Sequence, residues 1–242
     1  MKAFAEYHSH TTYSDGKTSM EEMVKEAIRL GYETYGISDH GYMHQFFGVK
    51  YEDYPKMRDE IDRLQEKYPN IKLLLGVEAN ILDDRGNIDV DDHVLRYVDY
   101  VMAGYHFGSK VKDFRGLRNH ANNYTKIFGS REIDYNTNGL INAMKNNDLF
   151  ILTHPGDKGA ISTIDVAKAA QQTNTVLEIN AHHGHLSLHQ LMEVKNIDIK
   201  FSVGSDAHRP EHLKHISDAI DRAQMAGIDP SRVINVKTME ER

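Results

Sequence analysis

The amino-acid sequence predicts a parallel α/β barrel, closed or nearly closed. Short apolar runs alternate with longer amphipathic ones along the chain, the pattern of strand–helix repeats and hence of a parallel sheet. Seven runs of each kind can be counted. The length, 242 residues, is one that such a barrel commonly fills as a single domain. No Gly-x-Gly-x-x-Gly turn follows the first predicted strand, which disfavours an open dinucleotide-binding sheet.

The strands are expected at residues 3–7, 34–38, 72–77, 100–103, 149–152, 176–179 and 200–203. Several are continuous apolar runs, as strands covered on both faces require. Between them, Ser19 is placed to cap a helix running to about Leu30, with Glu22 as its capping-box partner and Gly31 beyond the end. Further helices are expected at 52–67, closed by Tyr68-Pro69, and at 89–97, 135–146, 163–172, 187–195 and 210–226. No low-complexity tract, Pro-rich linker or compositional break divides the chain, so residues 1–242 are expected to form one domain.

Composition narrows the chemistry. The absence of cysteine excludes disulfides and thiolate metal sites, so any metal must rest on nitrogen and oxygen ligands. The net charge of -7 argues against a nucleic-acid polymer as partner. No apolar run is long enough for a membrane span and no signal-like segment opens the chain, so a cytoplasmic location is expected. Fifteen histidines form the outlier, since imidazole suits metal binding and proton transfer.

Position gives these histidines meaning. The predicted strands end, in order, in His8-Ser9-His10, Ser38-Asp39-His40, Gly76-Val77-Glu78, Gly104-Tyr105-His106, Thr153-His154-Pro155, Glu178-Ile179-Asn180 and Gly204-Ser205-Asp206-Ala207-His208, with Asp15 in the loop after the first. Residues two apart on a strand share a face, so His8 and His10 can meet one ion. In a parallel barrel all these ends lie on the face where active sites are built. A lone His or Glu after a strand is ordinarily a cap or a surface group, but the whole set points to one pocket. Mixed imidazole and carboxylate donors suit Zn, Mn or Fe.

At these residues the chain resembles the PHP family, named for polymerase and histidinol phosphatase. The motifs are His-x-His with Ser-Asp-Gly following, Ser-Asp-His, Gly-x-Glu, a His after the fourth strand, Thr-His-Pro and Gly-Ser-Asp-Ala-His, spread from Tyr7 to His208. The resemblance implies a distorted seven-stranded (β/α) barrel, TIM-like in plan, holding two or three divalent ions. It places His8, His10, Glu78 and Asp206 on the first ion. Glu78 would bridge to a second held by His106 and His154, and Asp15, His40 and His208 would hold a third. The activity implied is hydrolysis of a small phosphate monoester of the histidinol phosphate kind, by a hydroxide bridging two ions. The alternatives are a phosphodiesterase or nuclease acting on nucleotides or oligonucleotides, a non-catalytic metal-binding domain, and an amidohydrolase, which commonly has a lysine where Glu78 would bridge.

Other groups are candidates for substrate contact. The segment from Phe107 to Ser130, expected as a loop, carries Lys110, Lys112, Arg115, Arg118 and Lys126 against Asp113. Arg115 or Arg118 is expected to pair with the substrate phosphate, and Arg209, beside His208, is a third candidate. Asp39 is expected either to orient a ligating imidazole or to serve as a structural cap. His182, His183 and His185 fall on the same rim. His93, His120, His189, His212 and His215 are expected at the surface. The partner expected is a small phosphorylated molecule.

Overall fold

A computed structural model describes residues 1–110, 112, 114–125 and 132–238. Seven parallel strands stand in sequence order: β2 (Ala5–Glu6), β3 (Thr34–Ile37), β4 (Lys72–Asn80), β5 (Tyr100–Gly104), β6 (Ile151–Leu152), β7 (Val176–Asn180) and β8 (Phe201–Gly204). Each pairs with the next in parallel register. Sequential parallel order with helical crossovers winds the sheet into the distorted (β/α)7 barrel expected.

The helices outside it are α1 (Met20–Leu30), α2 (Tyr54–Lys67), α3 (Asp92–Leu95), α4 (Phe114–Thr125), α5 (Ile133–Asn146), α6 (Thr163–Thr173), α7 (Leu188–Val194) and α8 (Ile216–Met225). The start of α1 is the predicted capping box. Ser19 Oγ accepts from Glu22 N, and the Glu22 carboxylate accepts from Ser19 N, an arrangement that contributes about 1 kcal/mol. Gly31 ends the helix at φ 80°, a left-handed position suited to glycine. Met23, Val24 and Ala27 point inward from α1, and Met57, Ile61 and Leu64 from α2. The chief core joins these side chains to Tyr35, Ile37, Leu75, Val77, Phe201 and Val203 of the strands. Among the described residues no helix is long and apolar enough to cross a membrane.

Three sequence expectations are corrected. The run 3–7 is two strands, because the chain changes partners at Phe4. Phe4 N donates to Asn235 O, while Phe4 O accepts from Glu33 N and Thr34 N. Thus β1 (Lys2–Ala3) pairs antiparallel with the unpredicted β9 (Val236–Lys237), and only β2 enters the barrel. The helix expected at 89–97 shrinks to the single turn of α3, because Asp89 turns inward to hydrogen-bond Asn80 and Met43. The helix expected at 210–226 begins as a 3-10 turn, Pro210–His215, before α8. In addition, the segment expected as a loop after His106 carries α4. Lys126 and Asp113 of that segment lie outside the described residues.

Side chains close the seam between β8 and β2. The buried Asn235 amide acts as a short piece of strand. It accepts from Val203 N at 3.0 Å and donates to Val203 O at 2.7 Å and Ala5 O at 2.9 Å. One layer up, the buried Glu6 carboxylate accepts from His8 N and Ser205 N, both at 2.9 Å, and burial pushes its carboxyl up to about 7. At the mouth, Ser9 and Ala207 form a parallel bridge. The seam therefore fixes the His8–His10 segment against the Asp206–His208 segment. Asn235→Ala would leave buried backbone groups on both strands unsatisfied, so a loss of about 2–4 kcal/mol is expected, visible as a lower urea midpoint at unchanged slope. A midpoint equal to that of the parent chain would show that the seam closes without the amide.

Candidate metal centre

Every strand delivers a polar group to the mouth of the barrel, and Glu78 stands at the middle. It lies inside β4, and its neighbours Val77 and Ala79 are wholly buried. Its Oε1 is 2.9 Å from His154 Nε2, 3.1 Å from His106 Nε2 and 3.3 Å from His8 Nε2. Its Oε2 is 3.0 Å from His40 Nδ1 and 3.6 Å from His10 Nε2. Asp206 Oδ1 lies 3.2 Å from His10 Nε2 and 3.6 Å from His8 Nε2. Asp15 Oδ1 is 3.2 Å from His208 Nε2, and its Oδ2 is 3.7 Å from His40 Nε2.

The structure thus brings together all nine residues singled out from the sequence. Their donor atoms form overlapping sets: His8, His10 and Glu78; His8, His154 and Asp206; His40, Glu78 and His106; and His10, Asp15, His40 and His208. The first three sets share His8 and Glu78 between them. In the fourth, His10 joins the trio of Asp15, His40 and His208.

These residues fit divalent cations. His8 Nε2, both ring nitrogens of His10, His40 Nδ1 and Glu78 Oε2 are buried and make no hydrogen bond among the described residues. Such orphaned atoms cost about 1–3 kcal/mol each unless something satisfies them. They lie near one another yet are not aligned donor to acceptor, the geometry of groups that converge on common points between them.

Hydrogen bonds behind the cluster decide which nitrogen of His106 and of His8 faces inward. Asn80 Nδ2 donates to Asp89 Oδ2 at 2.6 Å and to Gly41 O at 3.2 Å, so its Oδ1 must face His106. That oxygen can only accept, so His106 Nδ1 carries the proton at 3.0 Å, leaving Nε2 bare toward Glu78. His8 Nδ1 lies 2.7 Å from Glu178 Oε1, which likewise turns its Nε2 inward. Glu178 Oε2 also accepts from His154 N and Asn180 Nδ2. A Cβ on Gly204 would fall 2.0 Å from Glu178 Oε1, so only glycine leaves room for this carboxylate. His154 and Asp206 adopt φ of 27° and 53°, a left-handed backbone costing on the order of 1 kcal/mol each.

Electrostatics follow the same arrangement. Burial would raise the Glu78 carboxyl, but His106 and His8 beside it hold it well below the usual carboxylate range. His8 and His10 beside it do the same for Asp206 against its burial. Burial would lower His40, yet the carboxylates of Asp15 and Glu78 beside it carry it up to about 10. His106 is pushed down to about 3, mainly by burial.

The other sequence candidates take varied places. Asp39 is a cap: it accepts from Thr11 N and Thr11 Oγ1 and from Ser14 Oγ, shaping the loop that presents Asp15. The structure does not bring Arg115 or Arg118 to the cluster. Each lies on α4, more than half exposed, with Arg115 paired to Asp84 and Arg118 to Glu132. Arg209 is exposed beside His208. His183 bridges inward, with Nε2 3.3 Å from Asp206 Oδ2 and Nδ1 3.3 Å from Asp157 Oδ2. His120 is not a surface group: its Nδ1 meets Tyr105 Oη and its Nε2 accepts from Gly108 N.

Sequence reasoning missed Asn80, Asp89, Asp157 and His44, and gave Glu178 little weight. His44 is buried against His40, ring centroids 5.2 Å apart. The available signal was the polar residue inside an apolar strand, as in Val-Leu-Glu-Ile-Asn of β7.

A parallel barrel with a His, Asp and Glu cluster at its mouth defines a class of metal-binding (β/α) proteins. This chain belongs to the PHP domain family, whose pattern matches residues 6–183. It is 29% identical over 244 residues to the DNA polymerase/3'-5' exonuclease PolX of Bacillus subtilis (strain 168), a match covering 97% of this chain but only 39% of that protein. It is 28% identical over 256 residues to a protein named "probable phosphatase" from Thermoanaerobacter sp. (strain X514), covering 97% of this chain and 91% of that one. Among solved structures, histidinol phosphate phosphatase from Lactococcus lactis, determined with zinc, L-histidinol and phosphate, superposes with a TM-score of 0.65 at 16% identity over 95% of both chains. That likeness is one of fold.

Two measurements test the centre directly. Asn80→Ala frees His106 to turn, so metal affinity should fall about 10–100-fold with the far-UV spectrum preserved; titration with Zn or Mn that gives parental affinity would remove Asn80 from the design. The raised His40 is protonated at pH 7 in metal-free protein, and a bound ion must displace that proton. Metal binding at pH 7 should therefore release protons, and affinity should fall as pH is lowered, as calorimetry in buffers of different ionisation enthalpy would show. Binding without proton release would contradict the assignment of His40.

Proposed function

We propose that this PHP-family metal-dependent phosphoesterase hydrolyses small-molecule phosphate monoesters. The observation that carries the reading is the convergence of five imidazoles on one buried carboxylate, with buried nitrogens left bare. His8, His10, Asp15, His40, Glu78, His106, His154, Asp206 and His208 would hold two or three divalent ions, with Zn, Mn and Fe matching the donor set. Such ions, when bound, polarise phosphoryl oxygens and make water a better nucleophile.

The remaining work falls to the chain itself. Glu178 and Asn80 keep His8 and His106 in one tautomer and one orientation. Arg209, unpaired among the described residues, directly follows His208, and it is assigned here to the phosphoryl oxygens. His183, whose ring lies 3.3 Å from both Asp157 and Asp206, is assigned to the leaving oxygen. Arg115 and Arg118 would first have to leave Asp84 and Glu132.

A diester substrate is the second reading. It is favoured by the match of 97% of the chain to part of the Bacillus polymerase/exonuclease. A panel of monoesters including histidinol phosphate, run beside a diester on protein with its metal counted, separates the two. Glu78→Gln should lower both metal content and turnover by about 100-fold or more. Parental turnover in that variant, or full metal content with no hydrolysis of any phosphate ester, would refute the reading.

A further inference from the structure

Three histidines outside the nine candidate ligands extend the cluster along the rim of the barrel. His182 lies on the loop after β7, and His212 and His215 lie on the 3-10 turn that follows β8. Residues three apart on such a turn eclipse one another, and the rings of His212 and His215 stack, centroids 5.4 Å apart at 19°. His182 stacks on His212 at 6.3 Å and reaches His208 at 5.9 Å. His208 in turn stacks on the buried His10 at 4.3 Å. A second branch leaves His182 for His183 at 4.7 Å, and His183 lies 5.2 Å from His154. An unbroken row of imidazoles thus joins the exposed His215 to His10 and His154 of the cluster.

The spacing and exposure of the row suit transfer rather than storage. An ion about 2.0–2.1 Å from one nitrogen of each of two rings sets their centroids about 5–6.5 Å apart, the separation found along the outer part of the row. Rings that lie face to face must swing to share an ion, and exposed side chains do so within nanoseconds. His182 and His215 are exposed. His212 Nδ1 makes no hydrogen bond among the described residues, which leaves that nitrogen without a partner on the protein. None of the three belongs to a set of three or more donors within 4.8 Å of one another among the described residues. Two imidazoles hold a divalent ion weakly, and a weak site releases what it collects.

We infer that His215, His212 and His182 form an entry path for divalent cations, capturing an ion at the surface and passing it to His208 and His183. The inference rests on the cluster holding metal and is independent of which ester is hydrolysed. A path that ends in the same bound state speeds loading and release by the same factor. The equilibrium affinity of the centre is therefore unchanged by it.

The test mixes metal-free protein with cobalt(II) in a stopped-flow cell and follows the visible absorption of the bound ion. In the parent chain the uptake rate should level off as cobalt rises, because the capture site fills. In His212→Ala/His215→Ala uptake should be about fivefold or more slower at low cobalt and linear in cobalt concentration. Removal of the ion by a chelator should slow by the same factor, while the cobalt bound per chain and its affinity match the parent's. His212→Gln/His215→Gln keeps polar side chains on the turn and should behave as the alanine pair does. His189, whose side chain is 84% exposed, lies outside the row, so His189→Ala should load as the parent does.

Parental rates of loading and release in both double variants would overturn the path and leave the metal centre standing. Slowing of the same size in His189→Ala, or a loss of affinity with no change in loading rate in the double variants, would also overturn it. A parent chain that takes up no cobalt would sink the metal centre and the path together.

Discussion

The carboxylate of Glu78 is the constraint on which the rest of the molecule depends. It is wholly buried, and five imidazoles, those of His8, His10, His40, His106 and His154, come within 3.6 Å of it. A charge in that position is tolerable only if cations surround it. Protons on the histidines can serve in metal-free protein, and divalent ions serve better because they also satisfy the bare ring nitrogens. The barrel supplies what this requires. Parallel strands aim their ends at one point, and the rings that meet there come from four separate segments of chain.

Holding so many polar groups together requires a rigid surround. Behind the rings lie further hydrogen-bonded groups: Asp89 fixes Asn80, Asn80 fixes His106, and Glu178 fixes His8 while accepting from His154 N. Asp39 ties the loop bearing Asp15 to the loop bearing His40. The seam is part of the same system. Glu6 and Asn235 make β8 adjoin β2 although no ladder joins these strands, and so bring Asp206 beside His8 and His10. The left-handed backbone at His154 and Asp206 is a strain that these fixed surroundings can sustain.

Outside that centre the mouth changes character. The rim is built from segments following the ligands, and it mixes aromatic rings with amides. His44 stacks between His40 and Phe47, and Phe107 packs on His120 and Tyr124.

Much of this was legible in the sequence. The alternation of runs specified a seven-stranded parallel barrel, because strand and helix periods differ and sequential crossovers admit few topologies. The nine candidate ligand positions were legible because all but Asp15, which lies in the loop after the first strand, stand at or just beyond the end of an apolar run, and a parallel barrel gathers all such ends on one face. What the sequence could not convey depended on contacts distant along the chain. Nothing near Asn235 shows that its amide would complete a sheet between Ala5 and Val203. Nothing near Asp89 shows that it would leave its helix to hold an asparagine that orients His106. Arg115 and Arg118 looked free because Asp84 and Glu132, their partners, stand 31 and 14 residues away. Local pattern determined the barrel and the candidate ligands, since both follow from periodicity and strand direction. Tertiary packing decided the hydrogen bonds that orient those side chains, since these arise only where separate segments meet.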